Sequence, residues 1–148
     1  MKWRVSFLEQ TIFSHMETVR GITEKSIIRI PEEISDIIPE GFSNSIRWNF
    51  GHIAFVQEKL VFGISGEEMN VPMNYERLFG AGTKPADWTE TPPSFKEIAS
   101  VLSEQKPRIK TFLQWSSSPK TSQPLYKHRS RNNFQHNWRR LFLFWLLS

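Results

Sequence analysis

The stretch from Ser43 to Leu60 limits most tightly what this chain can become. The polar cluster Ser43-Asn44-Ser45 precedes a long apolar-periodic run, which is how a helix begins. At about 100° per residue, Ile46, Phe50, Ile53, Val56 and Leu60 fall on one side of that helix. Trp48, His52 and Phe55 widen the side into an arc of roughly 200°. Arg47, Ala54 and Glu58 form the opposite strip, so the spacing predicts a polar outer edge there. His52 falls inside the apolar arc, and an imidazole buried in such surroundings needs a hydrogen-bond partner or a metal ion.

The 148 residues suit one domain, residues 1–148, and the twelve Phe and six Trp are enough for a packed interior rather than wholesale disorder. There is no cysteine, which removes disulfides, thiolate metal sites and a cysteine nucleophile. The N-terminus has no uninterrupted apolar core and meets Glu9 early, so it does not read as a secretory signal. No run approaches the ~18 apolar residues of a membrane span. A cytoplasmic protein with no membrane partner is the expectation. The net charge of +4 hides an asymmetry: residues 1–104 carry −5, whereas residues 105–148 carry +9 and no acid at all.

The first helix is expected over about residues 6–25, with Phe7, Ile12, Met16, Val19 and Ile22 at helical spacing and His15 at the edge of that stripe. A boundary histidine is the simpler account of His15 and a ligand role the sharper one. Pro31-Glu32-Glu33-Ile34 fits a single helical turn before the second helix, about 44–62, which Gly63 and Gly66 close. The next thirty or so residues are rich in Pro and Gly, with Tyr75 to Phe79 as a short helix inside them. A connection of that length either covers a site or crosses between distant helices. Ser94-Phe95-Lys96-Glu97 is a capping box that opens a third helix, about 94–115, carrying Phe95, Ile98, Leu102, Ile109 and Phe112 in phase. Pro107 predicts a kink or a split near Gln105. Residues 125–148 are basic up to Arg140 and then apolar on every face, without amphipathic period.

Asn44-Ser45-Ile46-Arg47-Trp48 followed by Gly51-His52-Ile53 resembles the DinB-like four-helix bundle superfamily. The likeness extends to the first helix, the Pro39-Glu40-Gly41 lead-in, the loop with Tyr75 and Phe79, and Pro93-Ser94-Phe95, covering about residues 5–127. It implies an all-α, up-down-down-up four-helix bundle with a long loop between helices two and three. It further implies a divalent metal, nickel or zinc, held by three histidines: His52 here, and two more four residues apart on helix four. The implied activity is metal-dependent chemistry of the thiol S-transferase or hydrolase type, with a small thiol as partner. A homodimer is compatible with such a bundle. The chemistry follows from the ligand set, because open positions on such an ion hold a water or thiol whose pKa the ion lowers.

The fourth-helix region departs from that pattern. It offers His128 and His136, eight residues apart. On a continuous helix these would stand about 80° and about 12 Å apart, too far for one metal. Arg129, Arg131 and Arg139 around them would repel a cation. His52 is therefore the first candidate ligand, with His136 and His128 behind it, and the metal would be incompletely held. Two accounts of the ending stay open: a natural member without the full site, or a stretch read out of register. The acid-free composition and the lost period favour the second. The alternative function is a non-catalytic bundle that binds a partner or a small apolar molecule in its aromatic interior. The basic end, with Tyr126, Phe134 and Trp138, has the composition of a nucleic-acid contact, but a solvated tail explains it more simply and nucleic acid is not expected as a partner.

Overall fold

The computed structural model describes residues 7–116, apart from the side chains of residues 7–9, 12, 13 and 113–116. The expected loop at 116–124, the atypical fourth helix over 125–148, and His128 and His136 lie outside the described residues. The fold is all-α. Helix α1 runs from Phe7 to Arg29, past its expected end at Lys25. A 3-10 turn at Glu32–Ile34 follows Pro31, as the sequence predicts. Helix α2 covers Ile46–Glu58 and continues as a π-helical turn over Lys59–Gly63. Helix α3 is short, Tyr75–Phe79, and α4 spans Phe95–Ser116. None of the helices among the described residues is long and apolar enough to cross a membrane.

Both long helices after α1 begin where their caps dictate. The hydroxyl of Ser45, fully buried, accepts from the Trp48 backbone N–H at 3.2 Å and satisfies one orphan donor of the first turn of α2. Ser45→Ala should therefore cost about 1 kcal/mol in urea unfolding, and an unchanged midpoint would show that this cap contributes nothing. At α4 the capping box forms: the Ser94 backbone N–H donates to Glu97 at 2.7 Å, and the Glu97 N–H donates to the Ser94 hydroxyl at 3.2 Å. The Ser94 backbone N–H, then its hydroxyl, hold the Glu97 carboxyl below the usual glutamate range. Pro107 does not split α4, which runs unbroken from Phe95 to Ser116. Its missing N–H would have served the carbonyl of Ser103, and both residues are exposed, so water can reach that carbonyl. Leu102, Gln105 and Ile109, all buried, hold the flanking turns against the core.

The contacts fix the directions of the helices. Along α2 and α4, Phe50 meets Phe95, Ala54 and Glu58 meet Gln105, and Phe62 meets Phe112, so these two helices run parallel. Between α1 and α4, Arg20 reaches Gln105 while Glu17 reaches Lys110, which is antiparallel. The three long helices thus go up, down and down. A parallel pair cannot be joined by a tight turn, so the long segment after Gly63 is the crossover that this topology requires. It also carries α3, which packs on α2. Trp48, Phe50, Ala54, Phe55, Tyr75, Leu78, Phe79, Phe95, Ile98 and Leu102 build the larger core cluster, and Met16, Phe62 and Ile109 a smaller one at the other end.

The faces of the helices differ from those the periodicity predicts. Arg47, Ala54 and Glu58, expected on an outer strip of α2, are buried, whereas Ile46, Ile53, Val56 and Leu60 are only half-buried. On α1, Ile22 is 63% exposed while Arg20 is 1% exposed. Charged residues occupy interior positions because each meets polar groups there. Arg47 donates to Asp36 through Nε and Nη2 at 2.7 and 2.9 Å, to the Ser35 hydroxyl at 2.8 Å and to the Pro93 carbonyl at 2.8 Å. It also pairs with Glu32 at 2.6 Å. The Asp36 hydrogen bond, and after it Glu32, raise the Arg47 pKa against the opposing effect of burial, so the guanidinium stays charged. One arginine thereby ties the 31–36 connection and the start of α4 to the first turn of α2.

A second polar group joins all three long helices. Gln105 donates to the Ala54 carbonyl at 2.7 Å and to Glu58 at 2.9 Å, and accepts from Arg20 at 2.8 Å. Glu58, fully buried, also accepts from Arg108 at 2.8 Å and from the Asn70 backbone N–H at 2.6 Å. Arg20 donates further to the Leu102 carbonyl at 3.1 Å, and burial lowers its pKa to about 10 against the pull of Glu24 and Glu58.

Candidate functional site

His52 stands in the second turn of α2, one turn after the capped start. Its neighbour Gly51 decides what can approach it. A Cβ at Gly51 would lie 2.5 Å from ring carbons of Phe79, so glycine is what allows α3 to lie directly against α2. That approach carries the Phe79 backbone carbonyl to 2.7 Å from His52 Nδ1. A carbonyl oxygen only accepts, so Nδ1 must carry the proton. Nε2 of the neutral ring is then left with its lone pair. Trp48 lies one turn earlier on the same face, with its ring stacked on the imidazole at 4.5 Å between centroids and 13° between planes. The question the sequence raises about His52 is answered by a backbone atom, not by a second side chain.

The turn that presents this carbonyl is tightly held. Leu78 O accepts from the Thr83 hydroxyl at 3.0 Å and from Trp88 Nε1 at 2.9 Å. Gly80 O accepts from the same hydroxyl at 2.9 Å, and Trp48 Nε1 donates back to Thr83 Oγ1 at 2.9 Å. Phe79 itself is wholly buried, with Tyr75 and Trp88 edge-on to its ring.

Of the other candidates, His15 is exposed on α1, beside Gln10, Ser14 and Thr18, near the end of the helix that meets Phe62 rather than Trp48. The structure does not bring it to His52. Among the described residues there is no group of three His, Asp or Glu side chains able to hold a metal ion. His52 thus presents an oriented ring, with Nδ1–H on a carbonyl and no partner for Nε2 among the described residues. His128 and His136, the other expected ligands, lie outside the described residues.

Apart from His52, an open groove between α3 and the first turns of α4 is lined by Pro72, Tyr75, Pro93, Lys96, Glu97 and Val101. Burial, and after it the charge of Glu97, push the Tyr75 phenol up to about 12, so it is a donor at any ordinary pH. Its hydroxyl has no hydrogen-bond partner among the described residues.

Periodicity alone does not reveal the partners of His52, because a backbone carbonyl has no signature in residue type. The available signal is Gly51, since a glycine inside a helix marks a close approach when packing requires it. Thr83 carries no signal of its own. The sequence model of the family described as the DinB superfamily matches residues 15–146, a span that takes in α2, α3, α4 and the acid-free segment. No curated protein matches the chain.

Proposed function

Because the chain belongs to the DinB superfamily, we propose that it is a divalent-metal protein of the thiol S-transferase or hydrolase type, with His52 Nε2 as a ligand to nickel or zinc. The observation that carries this reading is the 2.7 Å hydrogen bond from His52 Nδ1–H to the Phe79 carbonyl. Metal-bound histidines commonly donate their other ring N–H to such a group, which fixes the tautomer and raises the basicity of the ligating nitrogen. Trp48 limits rotation of the ring from one face and removes water from it. A divalent ion bound at Nε2 would lower the pKa of a water or small thiol toward neutrality and so supply a nucleophile. His136 and His128 remain the candidates to add to the ligand set, and a small thiol is the substrate class that such a site suits.

The test is metal analysis of the purified full chain after equilibration with nickel or zinc, followed by dialysis. One ion per chain is expected in the parent and none in His52→Ala. Equal metal content in both would remove His52 from the site, and no metal in either would end the metal reading. A second reading, a non-catalytic bundle that holds a small apolar molecule or a partner, draws on the groove beside Tyr75, whose hydroxyl has no partner among the described residues. Under that reading Tyr75→Phe alters ligand binding and His52→Ala does not.

A further inference from the structure

We propose that Thr83 is the positioning residue for His52, acting through both of the groups that hold the imidazole; this rests on the reading of His52 as a metal ligand. Helix α3 has five residues, and the carbonyls at its end have no intrahelical partners. The chain meets this need with side chains. Phe79 O takes the His52 proton, while Leu78 O and Gly80 O, on either side of it, share the hydroxyl proton of Thr83. The Thr83 backbone N–H also donates to Gly80 O at 3.2 Å. Thr83 therefore sets the pitch of the peptide units that flank the Phe79 carbonyl, and so the direction in which that carbonyl meets Nδ1.

The same oxygen reaches His52 by a second route. Thr83 Oγ1 accepts from Trp48 Nε1 at 2.9 Å, and the Trp48 ring is the one stacked on the imidazole. The indole is 7% exposed, so its N–H has little access to water and depends on this acceptor. The result is a closed circuit: His52 to Phe79 O, through α3's last turn to Thr83, across to Trp48, and back to His52 by stacking. One hydroxyl, used as donor and acceptor at once, holds both sides. Valine has nearly the same shape and can do neither.

The test reads the imidazole directly, without needing activity. In full-length protein labelled with ¹⁵N-histidine, in alkaline buffer where a neutral ring carries one proton, the His52 signals are assigned by their loss in His52→Ala. The parent should show one protonated nitrogen and one lone-pair nitrogen, with the proton on Nδ1. Thr83→Val should collapse this pattern toward an average of the two tautomers and weaken nickel or zinc binding about 10- to 100-fold. Thr83→Ser, which restores the hydroxyl, should recover both. Trp48→Phe keeps an aromatic face but lacks the N–H, so it breaks the circuit from the other side and should also loosen the tautomer if Thr83→Val fails to fold. A single Nδ1–H tautomer retained in Thr83→Val, or in Trp48→Phe where only that variant folds, would overturn the inference even if metal binds. A fixed tautomer in the parent that is lost in Thr83→Val, with no metal bound by either, would uphold the positioning role and sink the metal reading.

Discussion

Glu58→Ala should destabilise the fold by about 3–5 kcal/mol. The carboxylate is fully buried and accepts from Arg108, Gln105 and the Asn70 backbone. Its removal leaves the Arg108 head without a counter-charge and one Gln105 donor bond unmade. It also leaves Arg20, already 1% exposed, deprived of a nearby negative charge. Breaking one side of a buried ion pair is costly for this reason, beyond the value of the pair itself. Glu58→Gln keeps the shape and an acceptor oxygen, and should lose less. Urea unfolding of the three proteins checks this, and a Glu58→Ala variant within about 1 kcal/mol of the parent would mean that the network is not under tension.

Gly51→Ala should cost about 2–3 kcal/mol, although the same exchange in an ordinary helix gains up to about 1 kcal/mol. The sign reverses because the new methyl would meet the Phe79 ring at 2.5 Å, and Phe79 is wholly buried between Tyr75 and Trp88. Neither the ring nor α3 can yield without opening the His52 to Phe79 bond. The variant should therefore lose the fixed imidazole tautomer along with stability. Phe79→Ala alone should cost about 3–5 kcal/mol through the cavity it leaves. Combined with Gly51→Ala it should cost distinctly less than the sum, because the added methyl then fills vacated space. Strict additivity in that double-mutant cycle would contradict the contact.

The positions of the helices were readable from the chain, and the faces they turn inward were not. Ser45, the Ser94 to Glu97 box and the Gly63 stop mark element ends by local chemistry that tertiary packing does not override. The inward faces misled because periodicity assumes that charge means solvent. Arg20, Arg47, Glu58 and Gln105 each sit at an interior position and bond to side chains or backbone carbonyls there, which requires knowing residues up to 85 positions away. Pro107 leaves α4 unsplit because its lost bond faces water, where it costs little. For the candidate site, the motif around Gly51 and His52 was legible, while Phe79 O and Thr83 were not, since the first is a main-chain atom and the second acts by geometry.

The anchoring of α1 has a consequence for how the protein is made. Arg20 reaches Leu102 and Gln105, and Glu17 reaches Lys110, partners 82 to 93 residues further along. At ordinary synthesis rates the ribosome needs about 4 to 19 s to add that many residues. Through that interval the nascent first helix has no α4 to pack on, and the side chain that later lies deepest in its interface is a hydrated guanidinium. An arginine at that position keeps the waiting helix from offering a continuous apolar stripe to chaperones or to neighbouring chains, and surrenders its water only when Leu102 and Gln105, whose oxygens replace it, have been translated.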